Sequence, residues 1–477
     1  MSASSEHVVA EPAGGSTTGD ESSGGGAVGR GAAESGVTLG SAAADHVIVI
    51  GLGFGDEGKG AVVDALCRAG ETAAVVRFNG GAQAAHNVVD GDRHHTFSQF
   101  GSGTLAGVPT WLSPHVLVEP MALAAEAREL AAIGVPDPLS LLSVAGGALL
   151  TTPFHVLANR AREDARGAGR HGSCGKGVGE TVWYSLLSER AARVGDVVEG
   201  QEVLGAFGEA PVVADCLRPD VLRRKLDALA RFYAPLATAR WSVDELVGMY
   251  RDFADAVRIT GDDEVARLAG RGRLVFEGAQ GVLLDQWRGF HPHTTWSTVT
   301  PDNARALLGG LPARVVGVTR TYQTRHGAGP MPTEDAAVAA RFPERHNGTG
   351  RYQGAWRAGH LDGVLLRHAV AACGGVDALA VTHLDAAGAG SRVAGAYEVD
   401  GRRVARLAEV PGLEGPAGAA RPAPDPRVAE LLGRVEPVLE ELADPVGWLE
   451  RELGAPVLVT GSGPDRSHYR VLEPVPR

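Results

Sequence analysis

The run Gly51–Gly60, "GLGFGDEGKG", set directly after the apolar segment "HVIVI", constrains this chain more than any other feature. A buried strand opens into glycines and then into "KGAVVDALCRAG", which reads as a helix closed by Gly70. Backbone amides at such a junction cradle phosphates. The run fits two phosphate-binding patterns and completes neither. Gly53, Gly55 and Gly58 satisfy G-x-G-x-x-G, the dinucleotide fingerprint, while Gly53, Gly58 and Lys59 satisfy G-x-x-x-x-G-K. In the second pattern a Ser or Thr follows the lysine to hold magnesium, and Gly60 stands there instead.

The dinucleotide reading expects an acidic residue about 20 positions on, for the ribose. The next strand, "AAVVRF", ends in Arg77, Phe78 and Asn79, and an arginine there suits only a 2′-phosphate. The nucleoside-triphosphate reading needs another metal anchor, and Asp56 is the available carboxylate. A carboxylate among phosphates is repulsive unless it holds a cation or moves a proton. The plain alternative is a turn residue.

Three later stretches repeat the passage from strand to polar loop. In "NGGAQAAHNVV", His86 follows a Gly/Ala-rich turn, as a candidate acid or phosphate partner beside the loop or as a packing residue. "THLD", Thr382 to Asp385, follows an apolar strand; a carboxylate there can accept both N1–H and N2–H of guanine, or simply cap a turn. The usual guanine signature carries a lysine where His383 stands. "TGSGPDR", Thr460 to Arg466, suits a loop around a base or ribose.

The stretch from Met1 to about Asp45, rich in Gly, Ser, Ala and Glu, buries too little apolar surface to offset its ordering entropy and is expected to be a disordered tail. From His46 onward, strands alternate with helices: "PMALAAEARELAAIG" is a helix, "LVFEGAQG", "ARVVGVTRTYQT", "VDALAVTHLD" and "APVLVTGSG" are strands running into loops, and residues 196–268 look mainly helical. The loop "EVPGLEGPAGAARPAPDP" is expected to be exposed. This predicts an α/β fold, a large central mostly parallel sheet flanked by helices, with a ligand cleft along the carboxyl edge of the strands.

A net charge of −12 gives no global attraction to nucleic acid or acidic membranes. Four scattered cysteines form no C-x-x-C pair, so neither a zinc site nor a disulfide framework is indicated, and a reducing cytoplasm is the expected setting. No apolar run approaches the roughly 18 residues of a membrane span.

"GDEGKG", "FEGAQG", "RHGAGPMPTE", "THLD" and "TGSGPDR", in this order and approximate spacing, resemble the adenylosuccinate synthetase family from His46 to the C-terminus. The resemblance implies a P-loop-like GTP-binding architecture, a homodimer, Mg²⁺ as cofactor and GTP as co-substrate. It implies that Asp56 takes the N1 proton of IMP, whose 6-oxygen then attacks the γ-phosphorus of GTP before the amine of aspartate displaces the phosphate. Catalysis falls to Asp56, His86, Lys59 and Gln280. GTP is implied to meet Gly55, Glu57, Gly58, Lys59, Gly60, His86, Asn87, His383, Asp385, Ser462, Gly463 and Pro464. The acceptor nucleotide falls to Asp56, Gln83, Cys174, Arg190, Gln280, Thr295 and His326, and the amino acid to Thr349, Gly350, Arg351 and Arg357. The metal would be held by Asp56 and the backbone carbonyl of Ala85.

Departures from the family concentrate in the acceptor pockets. "GAQAAHN" stands for "GHNAGHT", so Gln83 and Asn87 replace Asn and Thr. "SCGKGVGE" puts Cys174 where a threonine hydroxyl holds the 5′-phosphate, and His326 takes the valine position of "RVGAGP". Around the partner-subunit arginine of the family, alignment places Glu189, with Arg190 one step away. The arginine run "TTGRRRRxGWLD", which clamps both carboxylates of aspartate, becomes "NGTGRYQGAWRAGHLD", with Tyr352, Gln353 and Trp356 between Arg351 and Arg357. A different purine-like or 5′-modified acceptor, or a different amine, therefore stands beside IMP and aspartate as a substrate expectation. A GTP-binding regulatory pseudoenzyme is the competing class; GTP binding without GDP release from any acceptor would mark it.

Overall fold

The computed structural model describes residues 45–170, 172–191, 208–261, 263–342, 350–411, 413 and 425–472. These all belong to one compact unit, Ala43–Arg477. The expected tail, apart from Asp45, and most of the expected late loop lie outside the described residues.

The first described element is β1 (His46–Gly51), whose six residues are all buried. Such a strand, apolar on both faces, belongs in the interior of a parallel sheet covered on both sides. Then follow β2 (Thr72–Arg77), the hairpin of β3 (His86–Asp90) and β4 (Arg93–Phe97), β5 (Thr110–Leu112), β6 (Leu142–Ala145), β7 (Arg258–Thr260), β8 (Arg273–Gly281) and β9 (Ala313–Arg320). β10 (Gln323–His326) pairs antiparallel with β11 (Trp356–Gly359). β12 (Leu361–Asp362), β14 (Arg392–Val399), β15 (Arg402–Val404) and β16 (Glu436–Glu441) form a side sheet, while β13 (Ala378–Thr382), β17 (Val457–Gly461) and β18 (Tyr469–Val471) return to the main one.

Among the described residues the main sheet has ten strands in the order β18-β17-β13-β9-β1-β8-β2-β5-β6-β7, parallel throughout except at the β17–β18 edge. β1 thus sits in the interior, between β8 and β9, so the loop after it opens at the carboxyl edge beside the loops after β8, β9 and β13. The expected single passage "ARVVGVTRTYQT" is divided at Thr321 and Tyr322, where the chain leaves the sheet to start β10.

Alternation along β1 builds two cores. Val47 and Val49 join Val62, Leu66, Val75, Val316 and Val459 on the side of α1 (Lys59–Arg68). Ile48 and Ile50 join Val76, Phe276, Leu365 and Leu379 on the other side. A third cluster lies among α2 (Pro120–Ala132), α3 (Pro153–Arg166), α4 (Val178–Ala191), α5 (Pro219–Tyr233) and α6 (Val243–Ala256). In α5, Leu222, Leu226, Leu229 and Tyr233 recur at three- and four-residue spacing and are buried, the period of one helix face. The residues described between 196 and 268 are mainly helical, as their sequence predicts.

Candidate active site

Five non-glycine residues among those described have positive φ, and three of them are Asp56 (+60°), Gln280 (+66°) and His383 (+56°). Left-handed backbone costs an L-residue about 1–3 kcal/mol and gathers at functional sites, where packing holds it. Asp56 and His383 follow the central strands β1 and β13, and Gln280 is the last residue but one of β8.

The loop after β1 is braced from within. Glu57, 3 % exposed, accepts the N–H groups of Gly53 (3.0 Å) and Gly55 (2.8 Å) on one oxygen and Lys59 Nζ (2.5 Å) on the other. Thr382 at the end of β13 donates to the Glu57 carbonyl at 2.7 Å, and Arg320 at the end of β9 donates to the Asp56 carbonyl. Asp56 is left half-buried, and its carboxylate makes no hydrogen bond or ion pair with any described residue. Gly58 caps α1 in the left-handed conformation, and the first amides of that helix have no intrahelical partner. Gly60 lies buried in the first turn, against His86.

His86 opens β3 with its Nδ1 2.5 Å from Glu277 Oε1. Glu277, fully buried on β8, also accepts the Ser102 N–H (2.9 Å) and hydroxyl (2.5 Å). Burial pushes the Glu277 carboxyl up, but the Arg77 charge and the bonds from His86 and Ser102 outweigh it and hold the pKa at about 2. Burial pulls the His86 ring below its usual range. A neutral ring then donates from Nδ1 to the carboxylate and keeps Nε2 as the free face. Sequence reading missed Glu277, although it lies inside the "FEGAQG" motif.

Gln280 donates from Nε2 to Thr295 Oγ1 at 2.8 Å, bringing together two residues expected on the acceptor side. Its Oε1, both amide atoms of Gln83, His326 Nε2 and Trp356 Nε1 are buried polar atoms without a partner among the described residues. His326 and Trp356 are directly paired across β10 and β11 and share one face. Ala85 is exposed, and Asn87 Oδ1 is engaged within the hairpin by His94 and Thr96.

The base-side residues follow neighbouring strands. β13 pairs with β17, so Asp385 and the Ser462–Pro464 turn leave adjacent strand ends; Asp385, Ser462 and Pro464 are exposed and Gly463 half-buried. Burial, and then the Arg320 charge, hold the His383 ring well below its usual range, so it brings no lysine-like charge.

The amino-acid residues are dispersed. Arg357 donates from Nε and Nη2 to the Glu334 carboxylate and from Nη1 to the carbonyls of Gly327 and Gly329, both at 2.9 Å. Arg351 is 70 % exposed, 3.1 Å from Asp164. Gly350 begins the turn that contains Tyr352, whose ring packs beside Gly175. Cys174 is half-buried and its thiol pKa is raised by burial. Arg190 falls on α4, but its side chain, like the whole of Thr349, lies outside the described residues. No described helix is long and apolar enough to cross a membrane.

The adenylosuccinate synthetase family model matches residues 48–470. The adenylosuccinate synthetase of Acidithiobacillus ferrooxidans is 36 % identical over 423 residues, covering 86 % of this chain and 89 % of that protein. That of Marinomonas sp. is 32 % identical, covering 90 % and 98 %. Among solved structures, fully ligated adenylosuccinate synthetase from Plasmodium falciparum superposes with a TM-score of 0.71 at 20 % identity, covering 90 % of this chain and all of that one. Succinoaminodeoxyadenylate synthetase of cyanophage S-2L gives 0.53 at 18 %, covering 90 % and 95 %. With a family model matched across most of its length and relatives above 30 % identity covered almost end to end, the chain belongs to the adenylosuccinate synthetase family, and it is a GTP-dependent ligase that joins a purine nucleotide to an amine.

Proposed function

We propose that this enzyme phosphorylates the 6-oxo group of IMP with GTP and replaces that phosphate by the amine of aspartate, giving adenylosuccinate, GDP and phosphate. The observation that carries this reading is the division of labour among three acids. Glu57 is occupied by Lys59 and the loop amides, Glu277 by His86 and Ser102, and of the three only Asp56 has a carboxylate with no partner among the described residues.

In this reading an Asp56 oxygen accepts the N1 proton of the purine, and the electron pair moves to O6, which becomes the nucleophile. O6 bonds to the γ-phosphorus as the bond to the β-bridging oxygen breaks, and GDP leaves. Lys59 and the open amides of α1 neutralise the phosphate oxygens. His86, fixed through Nδ1, turns Nε2 to the transferring group; its negative charge favours the imidazolium, which then donates. The amine attacks C6, the 6-phosphate departs with the C6–O bond, and the amine loses a proton. Gln280, anchored to Thr295, orients the ring.

Asp56 and the Ala85 carbonyl would hold Mg²⁺. Two hard oxygens suit an ion that draws its other ligands from phosphates and water, and no cluster of three His, Cys, Asp or Glu gathers among the described residues. When bound, the ion would supply neutralisation of phosphate charge. Homodimerisation, which would bring a partner arginine to the 5′-phosphate, and a cytoplasmic location complete the proposal.

A second reading keeps the activation and changes the acceptor or the amine. It is favoured by Arg357, whose fork is already closed on Glu334 and the Gly327–Gly329 turn, and by Cys174 in the 5′-phosphate position. A GDP-release screen over IMP, inosine and GMP, each with aspartate and other amino acids, tests both. Turnover with IMP and aspartate establishes the first reading; turnover only with another pair establishes the second. GTP binding without GDP from any pair would overturn both.

A further inference from the structure

Behind the Ser462–Pro464 turn, side chains about 400 positions apart in sequence form one bonded group. Arg466 donates from Nε (3.1 Å) and Nη2 to the two oxygens of Asp64 on α1, and from Nη1 to Asp90 at the end of β3 (2.9 Å). Arg68 donates from Nε to Asp64 (2.8 Å) and from Nη2 to the Arg466 carbonyl (2.7 Å). Asp465 accepts the Gly91 N–H at 2.8 Å, and Val89 and Asp465 form an isolated bridge. The Asp64 side chain is fully buried and that of Arg466 is 13 % exposed.

We propose that Arg466 is a positioning residue that couples the nucleobase turn Ser462–Pro464 to His86 through β3. The inference rests on the proposed assignments of that turn to the base and of His86 to the phosphoryl group. β3 is five residues long, with His86 at one end and Asp90 at the other, and it is held in register by β4. The guanidinium is planar, so its Asp64 fork and its Asp90 bond cannot move independently. A base that settles the turn therefore fixes the relative placement of α1, which begins at Lys59, and of the strand that begins at His86. The energetics favour a unit. Asp64 has no solvent to fall back on, so displacing Arg466 leaves a buried carboxylate with Arg68 alone.

Two measurements test the coupling, both with Asp90→Asn, which keeps side-chain size and leaves the Arg466–Asp64 fork. The first is hydrogen exchange of residues 86–90 with and without GDP. We expect GDP to slow exchange there about tenfold in the parent and by less than about twofold in Asp90→Asn, at similar GDP affinity. The second is GDP release with GTP and with ITP, which lacks the 2-amino group. The parent should lose kcat as well as affinity with ITP. Asp90→Asn should lower kcat for GTP about tenfold, with KM nearly unchanged, and bring the two kcat values together. Arg466→Lys should act in the same direction. Equal GDP protection of β3 in parent and variant would overturn the proposal, as would an unchanged GTP-to-ITP kcat ratio. Failure of the catalytic reading is separate, since it appears as no turnover in the parent while the exchange measurement still decides the coupling.

Discussion

A Cβ placed on Gly60 would lie 2.7 Å from the Cβ of His86 and 3.0 Å from Ser102 Oγ. This contact explains why the phosphate loop carries glycine where the nucleoside-triphosphate pattern asks for Ser or Thr. The first turn of α1 is pressed against the strand that presents His86, and a hydroxyl-bearing side chain has no room. Gly60→Ser should force the two apart, a strain of about 1–3 kcal/mol. We expect kcat to fall about 10- to 100-fold, with a smaller loss of GTP affinity, measured by GDP release and nucleotide titration.

Asp56→Asn keeps the shape of the side chain and removes its basicity. Turnover should be abolished while GTP affinity stays within a few-fold, because Glu57 rather than Asp56 braces the loop. Retention of most activity would remove Asp56 from the role of base.

Glu277→Gln tests the acid that sequence reading missed. With its pKa near 2, Glu277 is ionised throughout the working pH range, so it holds the His86 tautomer without titrating itself. The variant should lose about 100-fold or more in kcat and show the alkaline limb of its pH–rate profile moved lower, since His86 acts as the imidazolium and the carboxylate raises its proton affinity. An unchanged profile would make the pair a packing feature.

The two arginines of the amino-acid loop should separate. Arg351 is exposed with one carboxylate partner, so Arg351→Ala should raise the KM of the amine far more than that of GTP. Arg357→Ala should instead lower thermal stability by about 1–3 kcal/mol, because two carbonyls and Glu334 lose their donors. Equal kinetic effects of the two changes would contradict this division.

His155 provides the pH test of stability. Burial lowers its pKa to about 3, and its Nδ1 accepts the Thr152 N–H at the start of α3. The unfolded chain binds this proton below about pH 6.5 and the native one does not, so stability is full above that value and falls as pH drops toward 3. The slope approaches about 1.4 kcal/mol per pH unit. His155→Gln should flatten the melting temperature between pH 6.5 and 4.

Local pattern made the strand–loop–helix of the phosphate site legible, because a glycine run between an apolar strand and an amphipathic helix has few other solutions. The loops after β8, β13 and β17 were legible because an apolar strand there runs into Gly, Thr, Ser and Asp. What could not be read is the pairing across the sheet. Nothing near Glu277 in sequence points to His86, 191 residues away, and nothing near Arg466 points to Asp64 and Asp90. Arg357 matched an amino-acid clamp by position, but its bonds depend on the Gly327–Gly329 turn folding beneath it.

The placement of β1 also governs when the molecule can assemble. Val47 and Ile48 must wait for Val275 and Phe276 on one side and for Arg314 and Val315 on the other. More than 220 residues therefore have to be synthesised before the phosphate loop gains a supported base, and contacts of such high sequence separation form slowly. Nucleotide competence should arise late in synthesis, in one step rather than by gradual maturation.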